Sequence, residues 1–240
     1  MRVKAIVVKE LNDYRRNRFV MVFTMTLLPL IFIAAPTVQL LVAPAVEASS
    51  RLDSRVGLSL LYLLLIPAIV PSMVSAYSVI GEREQGTLEP ILITPIRSDE
   101  FLIGKALAVI MPTLVVAYTI FGIFLAVAAL FAHSGMRTAI FSGSHIPIQV
   151  VFTPLLAGWS IWVGIAISAR SSDVRVAQQL SVFANLPPVA IVALIGFNVI
   201  TPSLGLALGL GAALLLIDAL GWRAVAAMFD RERLIAGARR

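Results

Sequence analysis

Six runs of apolar residues, at about 20–46, 56–80, 105–131, 147–169, 176–200 and 203–229, are each long enough to cross roughly 30 Å of hydrocarbon as a helix rising about 1.5 Å per residue. With 59% hydrophobic and only 13% charged residues, the chain cannot wrap a wet surface around a dry core. Lipid is the solvent for most of it. The expected fold is therefore all-α: six transmembrane helices, preceded by an amphipathic interfacial helix and interrupted by one long polar loop between spans two and three. Cysteine is absent, which excludes a disulfide framework, a cysteine-based zinc site and a thiol nucleophile.

Three regions follow: residues 1–19, the six-span domain 20–229 and a basic tail 230–240. In the first, Val3, Ile6, Val7, Leu11 and Tyr14 fall on one helical face, with Lys4, Lys9, Asn12, Asp13, Arg15 and Arg16 on the other. That pattern reads as a helix lying in the membrane surface, the plainer alternative being a basic flank that only sets topology. It runs into an apolar segment too long for a signal-peptide core and is taken as mature protein. Of the 19 lysines and arginines, all but Arg51, Arg55 and Arg137 fall at the N-terminal side of an even-numbered bundle. So strong a bias in short loops predicts both termini and the 81–105 loop in the cytoplasm; a plasma (inner) membrane is the expected location. A net charge of +6 is thereby explained without nucleic acid.

Chemistry-bearing residues are few. Gly104-Lys105 lacks the glycine five residues earlier and the following Ser/Thr of a phosphate-binding loop, so no ATP site is expected, and no cofactor on this chain. His133 and His145 fall in one outer loop without a carboxylate pattern for zinc. Ser142-Gly143-Ser144-His145 reads as a polar turn rather than a nucleophile. Prolines interrupt the spans, and Asn185-Leu186-Pro187-Pro188, midway along span five, is the cluster most apt to line a path; simple tolerance of proline is the alternative. Gly205, Gly209 and Gly211 have the spacing for close helix approach. Asp218 is the clearest intramembrane charge, either paired or wet at the inner interface or part of a transport path. Trp222 suits an inner interfacial anchor, with Trp159 and Trp162 as packing residues. The turn Thr201-Pro202 leaves the last hairpin open to a re-entrant reading.

The loop 81–105 carries Glu82, Glu84, Glu89, Asp99 and Glu100 against Arg83, Arg97 and Lys105. An acidic excess is out of place in a cytoplasmic loop unless something selects for it, and a basic cleft on a partner is the simplest candidate. Leu88, Ile91, Leu92 and Ile93 also need covering. A solvated connector is the alternative. The order Gly81-Glu82-Arg83-Glu84-Gln85-Gly86-Thr87-Leu88-Glu89, then Leu92-Ile93-Thr94-Pro95, then Gly104-Lys105, with Ala177-Gln178-Gln179 opening span five and Arg231-Glu232-Arg233-Leu234 near the end, resembles the ABC-2 family of ATP-binding-cassette transporter permeases. The resemblance covers essentially the whole chain. It implies that Glu82, Arg83, Glu84, Gly86, Thr87, Leu88, Glu89, Leu92, Ile93 and Pro95 belong to a coupling segment touching a separate ABC ATPase subunit, which alone holds ATP. It also implies a second permease, copy or paralogue, in the working unit. Asn185, Pro187, Pro188 and Asp218 are the candidate pathway residues. The short first outer loop, about 47–55, and the 201–202 turn depart from relatives with large outer domains. The expected role is the permease subunit of an ATP-driven exporter; an ion-coupled secondary transporter and a membrane scaffold are the rivals.

Overall fold

A computed structural model describes residues 2–42, 49–84, 86, 98–142, 145–197, 199–200 and 203–228. Nine α-helices and one π-helical stretch account for nearly all of them, and no strand occurs among the described residues. In order they are α1 (Arg2–Arg16), the π-helix Phe19–Leu27, α2 (Leu28–Val42), α3 (Ser49–Glu84), α4 (Ser98–Phe131), α5 (Ser134–Ser142), α6 (His145–Arg170), α7 (Val174–Phe183), α8 (Leu186–Gly196) and α9 (Leu204–Met228). Six segments are long and apolar enough to cross a membrane: Val20–Val42, Arg51–Glu82, Asp99–Phe131, His145–Arg170, Val174–Ile195 and Gly205–Met228.

The six spans agree with the sequence reading, and the differences lie at their ends. With 36 residues, α3 is about 54 Å long and overshoots the hydrocarbon. It begins at Ser49, so most of the expected outer loop 47–55 is helix. Asp99 and Glu100 occupy the first turn of α4, where carboxylates suit the positive helix end, and the third span starts at Ser98 rather than 105. The short α5 was not anticipated; Met136 and Ile140 on it are buried against Leu40, Val56 and Phe124. Span five is two helices, because Pro187 and Pro188 lack the N–H groups a continuous helix needs and instead open α8 in its first turn. Asp173 caps α7, its Oδ1 accepting from Arg175 N at 2.7 Å and Val176 N at 3.1 Å.

Packing clusters place the two ends. At one, Ile6 and Tyr14 of α1 join Val79, Leu102, Ile165 and Val225. At the other, Leu40, Val56, Phe124 and Ile140 meet. The termini of the described chain therefore share the first, here termed the α1 end.

Between the ends, α3 and α6 form the central seam, built from small and hydroxylated residues. Ser160 Oγ donates to Asn185 Oδ1 at 2.6 Å and lies 2.8 Å from the Ala68 carbonyl. Ser168 Oγ accepts from Val79 N and Ile80 N, both at 3.2 Å. Lipid supplies no hydrophobic drive for helices to associate, so close backbone approach and shared hydrogen bonds must hold this contact. About half of the most apolar stretch of each central span is buried, 56% and 50%, against 11% and 6% for the fifth and sixth. The outer spans are thus left facing lipid or another chain.

Gly164 marks the closest approach: a Cβ there would strike Ser75 Oγ and lie 3.2 Å from the Ser72 carbonyl oxygen, a backbone atom. Gly122 on α4 has nothing within 4 Å of the corresponding point. Gly164→Val should lower stability by about 1–3 kcal/mol, while Gly122→Ala should be near neutral or slightly stabilising. Thermal unfolding of both variants in detergent, followed by size-exclusion fluorescence, checks the contrast; equal melting would refute the seam as the central constraint.

Candidate functional site: a buried ion network at the α1 end

Ile6, Glu10 and Tyr14 are the buried residues of α1, spaced four apart and therefore in one line down the helix. Two of the three are expected on an apolar face, and the middle one is a carboxylate. It is tolerable because Lys105, one turn beyond Phe101 on α4, meets it. Lys105 is fully buried, and its Nζ lies 3.3 Å from Glu10 Oε1, 3.2 Å from Glu82 Oε1 and 2.8 Å from the Ser78 carbonyl oxygen. The Phe101 ring lies 5.0 Å from the same ammonium. Lys9 closes the set from the rim, 2.9 Å from Glu82 Oε1 and 3.3 Å from Glu10 Oε1, with Asp13 3.6 Å away.

Two ammonium groups thus face two buried carboxylates, and the three strands of the contact come from α1, the end of α3 and the start of α4. Close approach of α1 to α4 depends on Gly104, where a Cβ would fall 2.8 Å from Ile6 Cβ. A polar cleft of about 290 Å³ opens beside the network between α1 and the end of α3, bordered by Asp13, Arg16, Asn17 and Tyr77.

Titration follows from these positions. Burial opposes the charged form of Lys9, but hydrogen bonding to Glu82 and the nearby charges outweigh it and hold the ammonium well above its usual range. Burial likewise works against the Glu10 carboxylate, yet Lys105 and Lys9 outweigh it and keep its pKa below the usual carboxylate range. Tyr14 is held well above the ordinary phenol range by burial, reinforced by the Glu10 carboxylate.

The loop residues picked out in the sequence divide sharply. Glu82, expected on an acidic docking surface, is turned inward and only 6% exposed. Its carboxylate is met by Lys105 and Lys9, because the last turn of α3 points it toward α1 rather than outward. Arg83 and Glu84 close α3, and Gly86 follows with φ +67°, a left-handed conformation that suits glycine where the chain leaves a helix. Thr87, Leu88, Glu89, Leu92, Ile93 and Pro95 lie outside the described residues.

The pathway candidates do not form one site. Asn185 is buried, accepting from Ser160 and donating from Nδ2 to the Ser181 carbonyl at 2.7 Å, so it bridges α6 to the break between α7 and α8. Pro187 and Pro188 border an apolar cavity with α6 and α9. Asp218 is half-buried against α6, and its Oδ1 accepts from Trp162 Nε1 at 3.0 Å. Ala177, from the motif opening span five, is buried against Ala76 and Ile80 of α3. Sequence reasoning missed Glu10 as a partner and treated Lys105 as a topology signal. The spacing of Glu10 from Ile6 and Tyr14 was the available clue.

Removing the Lys105 ammonium leaves two buried carboxylates answered only by the partly exposed Lys9, so Lys105→Met should cost about 3–5 kcal/mol, and adding Glu10→Gln to it should restore part of the loss. Stability also depends on pH with a definite sign. The lowered pKa of Glu10 gives a contribution present above about pH 4, the unfolded carboxylate value, and lost as pH falls through the folded one. The raised values of Lys9 and Tyr14 give contributions present below about pH 10 and lost as pH rises further. Hydrogen exchange on α1 across pH should show a plateau between these limits, and Glu10→Gln should flatten the acid limb; an unchanged acid limb would contradict the assignment.

A family model described as ABC-2 family transporter protein matches residues 4–219. No individual curated protein matches the chain. The match spans α1, the ion network, all of the central seam and Asp218, so the family rests on the same regions that carry the geometry. The chain belongs to the ABC-2 family of transporter proteins and is an integral membrane ABC permease.

Proposed function

We propose that this permease is the membrane subunit of an ATP-driven exporter, coupled through the segment 85–97 to a separate ABC ATPase, and working beside a second permease in a plasma (inner) membrane with both termini in the cytoplasm. The observation that carries the reading is the ion network. The coupling segment joins the end of α3 to the start of α4, and Glu82 and Lys105 tie those two stems to each other and to Glu10 and Lys9 of α1. Force applied to the segment would move three elements together rather than bend one loop.

Division of labour follows from family membership and from the sequence, which carries no phosphate-binding glycine loop. Export rather than import, and the cytoplasmic placement of the α1 end, rest on the family resemblance and on sixteen of 19 basic residues falling on that side. Inward-facing Glu82 refines the role of the loop. Docking charge falls to Glu84 and Glu89, while Glu82 acts through the network. Leu92 and Ile93 supply the apolar contact.

Three results are expected. Reporter fusions after Glu47 and Ser142 should read outside, and those after Thr87, Ser171 and Arg240 inside; a cytoplasmic Ser142 would overturn the orientation. The purified chain alone should not turn over ATP. Co-purification with the cognate ATPase should be weakened in a salt-sensitive way by Glu84→Lys and abolished by Leu92→Asp, whose unpaired carboxylate would cost about 2–5 kcal/mol in a closed contact. If both variants retain the ATPase at low and high salt and export at the normal rate, the segment is only a connector.

A further inference from the structure

Asp218 lies ten residues before Met228, roughly 15 Å inside the end of α9, within a candidate span. A carboxylate at that depth is expensive unless something answers it. Trp162 donates one hydrogen bond to it at 3.0 Å, and no basic side chain forms an ion pair with it among the described residues. Gly158 lets it approach α6 closely: a Cβ there would lie 3.0 Å from Asp218 Oδ2.

Toward the opposite end, α6, α8 and α9 border a half-open cavity of about 170 Å³ whose lining is almost entirely apolar. Trp159 and Ile217 border it, and each is one position from a wall of the Asp218 contact: Ile217 precedes Asp218 on α9, and Trp159 follows Gly158 on α6. Trp159 also packs edge-on against Trp162, with ring centroids 5.0 Å apart. The lining ends at Ile217, Trp159 and Leu214, the last two about one helical turn short of Trp162 and Asp218, so an apolar slot adjoins a carboxylate that forms no ion pair among the described residues. A cavity of this size holds about one aromatic ring or a short alkyl chain.

We propose that this slot and the adjoining carboxylate bind a lipophilic monovalent cation, one apolar group in the cavity and one ammonium against Asp218. Charge complementarity selects the occupant: a neutral hydrocarbon leaves the carboxylate unanswered, an anion meets it with like charge, and a cation satisfies it. The proposal names a substrate class for the permease and so rests on that reading. Its binding step, however, needs neither the ATPase nor transport.

The test uses the purified full chain in nanodiscs of neutral phosphatidylcholine, with empty nanodiscs as the reference for partition. Three radiolabelled probes share one body: 4-phenylbutylammonium, 4-phenylbutanol and 4-phenylbutyrate. Saturable binding above the reference is expected for the cation, weaker binding by about tenfold for the alcohol, and none for the carboxylate. Asp218→Asn should bring the cation down to the affinity of the alcohol, and Leu214→Trp, which fills the cavity, should remove both. Equal binding of cation and carboxylate by the unmodified chain, or no binding above empty nanodiscs, overturns the proposal without requiring any variant to fold. Undiminished cation binding by Asp218→Asn overturns it as well. Loss of ATPase co-purification, by contrast, would bear only on the coupling role and leave these binding results standing.

Discussion

A lysine ammonium with no exposed surface is the interaction on which the α1 end depends. Lys105 sits about two turns inside α4, the third span, and it is held there by Glu10, Glu82 and a backbone carbonyl. Such a group is stable only while its partners stay in place, since each charge left alone in a low dielectric would cost several kcal/mol. The penalty for separation, more than the strength of attraction, keeps α1 docked. A row of apolar side chains could slide by a turn at modest cost, whereas this set has one register.

The seam between α3 and α6 supplies the second constraint and works differently. Its contacts are small side chains, hydroxyls and backbone carbonyls, and Gly164 is needed because the Ser75 side chain of α3 already occupies the space of a Cβ, with the Ser72 carbonyl oxygen 3.2 Å away. Around this pair, the helices of spans five and six bury little of themselves. The division suits a transporter: a well-buried pair of helices ends at the ion network, and outer helices that bury less of themselves border the apolar slot and Asp218.

Much of this was legible in the sequence because lipid leaves few choices. The six apolar runs and the break at Asn185-Leu186-Pro187-Pro188 follow from local rules about length and a missing N–H. What stayed hidden required knowing which faces meet. Glu82 is acidic and lies in a polar loop motif, so composition placed it outside, and only the rotation of the last turn of α3 turns it toward Lys105. Glu10 was passed over because α1 is rich in charge, though it sits on the line of Ile6 and Tyr14. Asp218 was expected near the inner interface, and its partner, the Trp162 indole, comes from a different span 56 positions away in sequence. The α5 helix is too short for its periodicity to stand out from a loop.

The central claim is that α1, the end of α3 and the start of α4 move as one body during coupling. The chain has no cysteine, so a single introduced pair gives a clean cross-link. Ile6→Cys with Gly104→Cys puts both sulfurs at the α1–α4 contact, where a Cβ built on Gly104 would lie 2.8 Å from Ile6 Cβ, so the helices must part by about 1 Å to reach disulfide geometry and the reduced form of the same variant is the reference. The measurement is ATP turnover and export by the assembled permease and ATPase, oxidised and then reduced. Unchanged rates with a fully formed cross-link are the predicted result. A complex that stops on oxidation and recovers on reduction would show that α1 must leave α4 during the cycle, and would contradict the account.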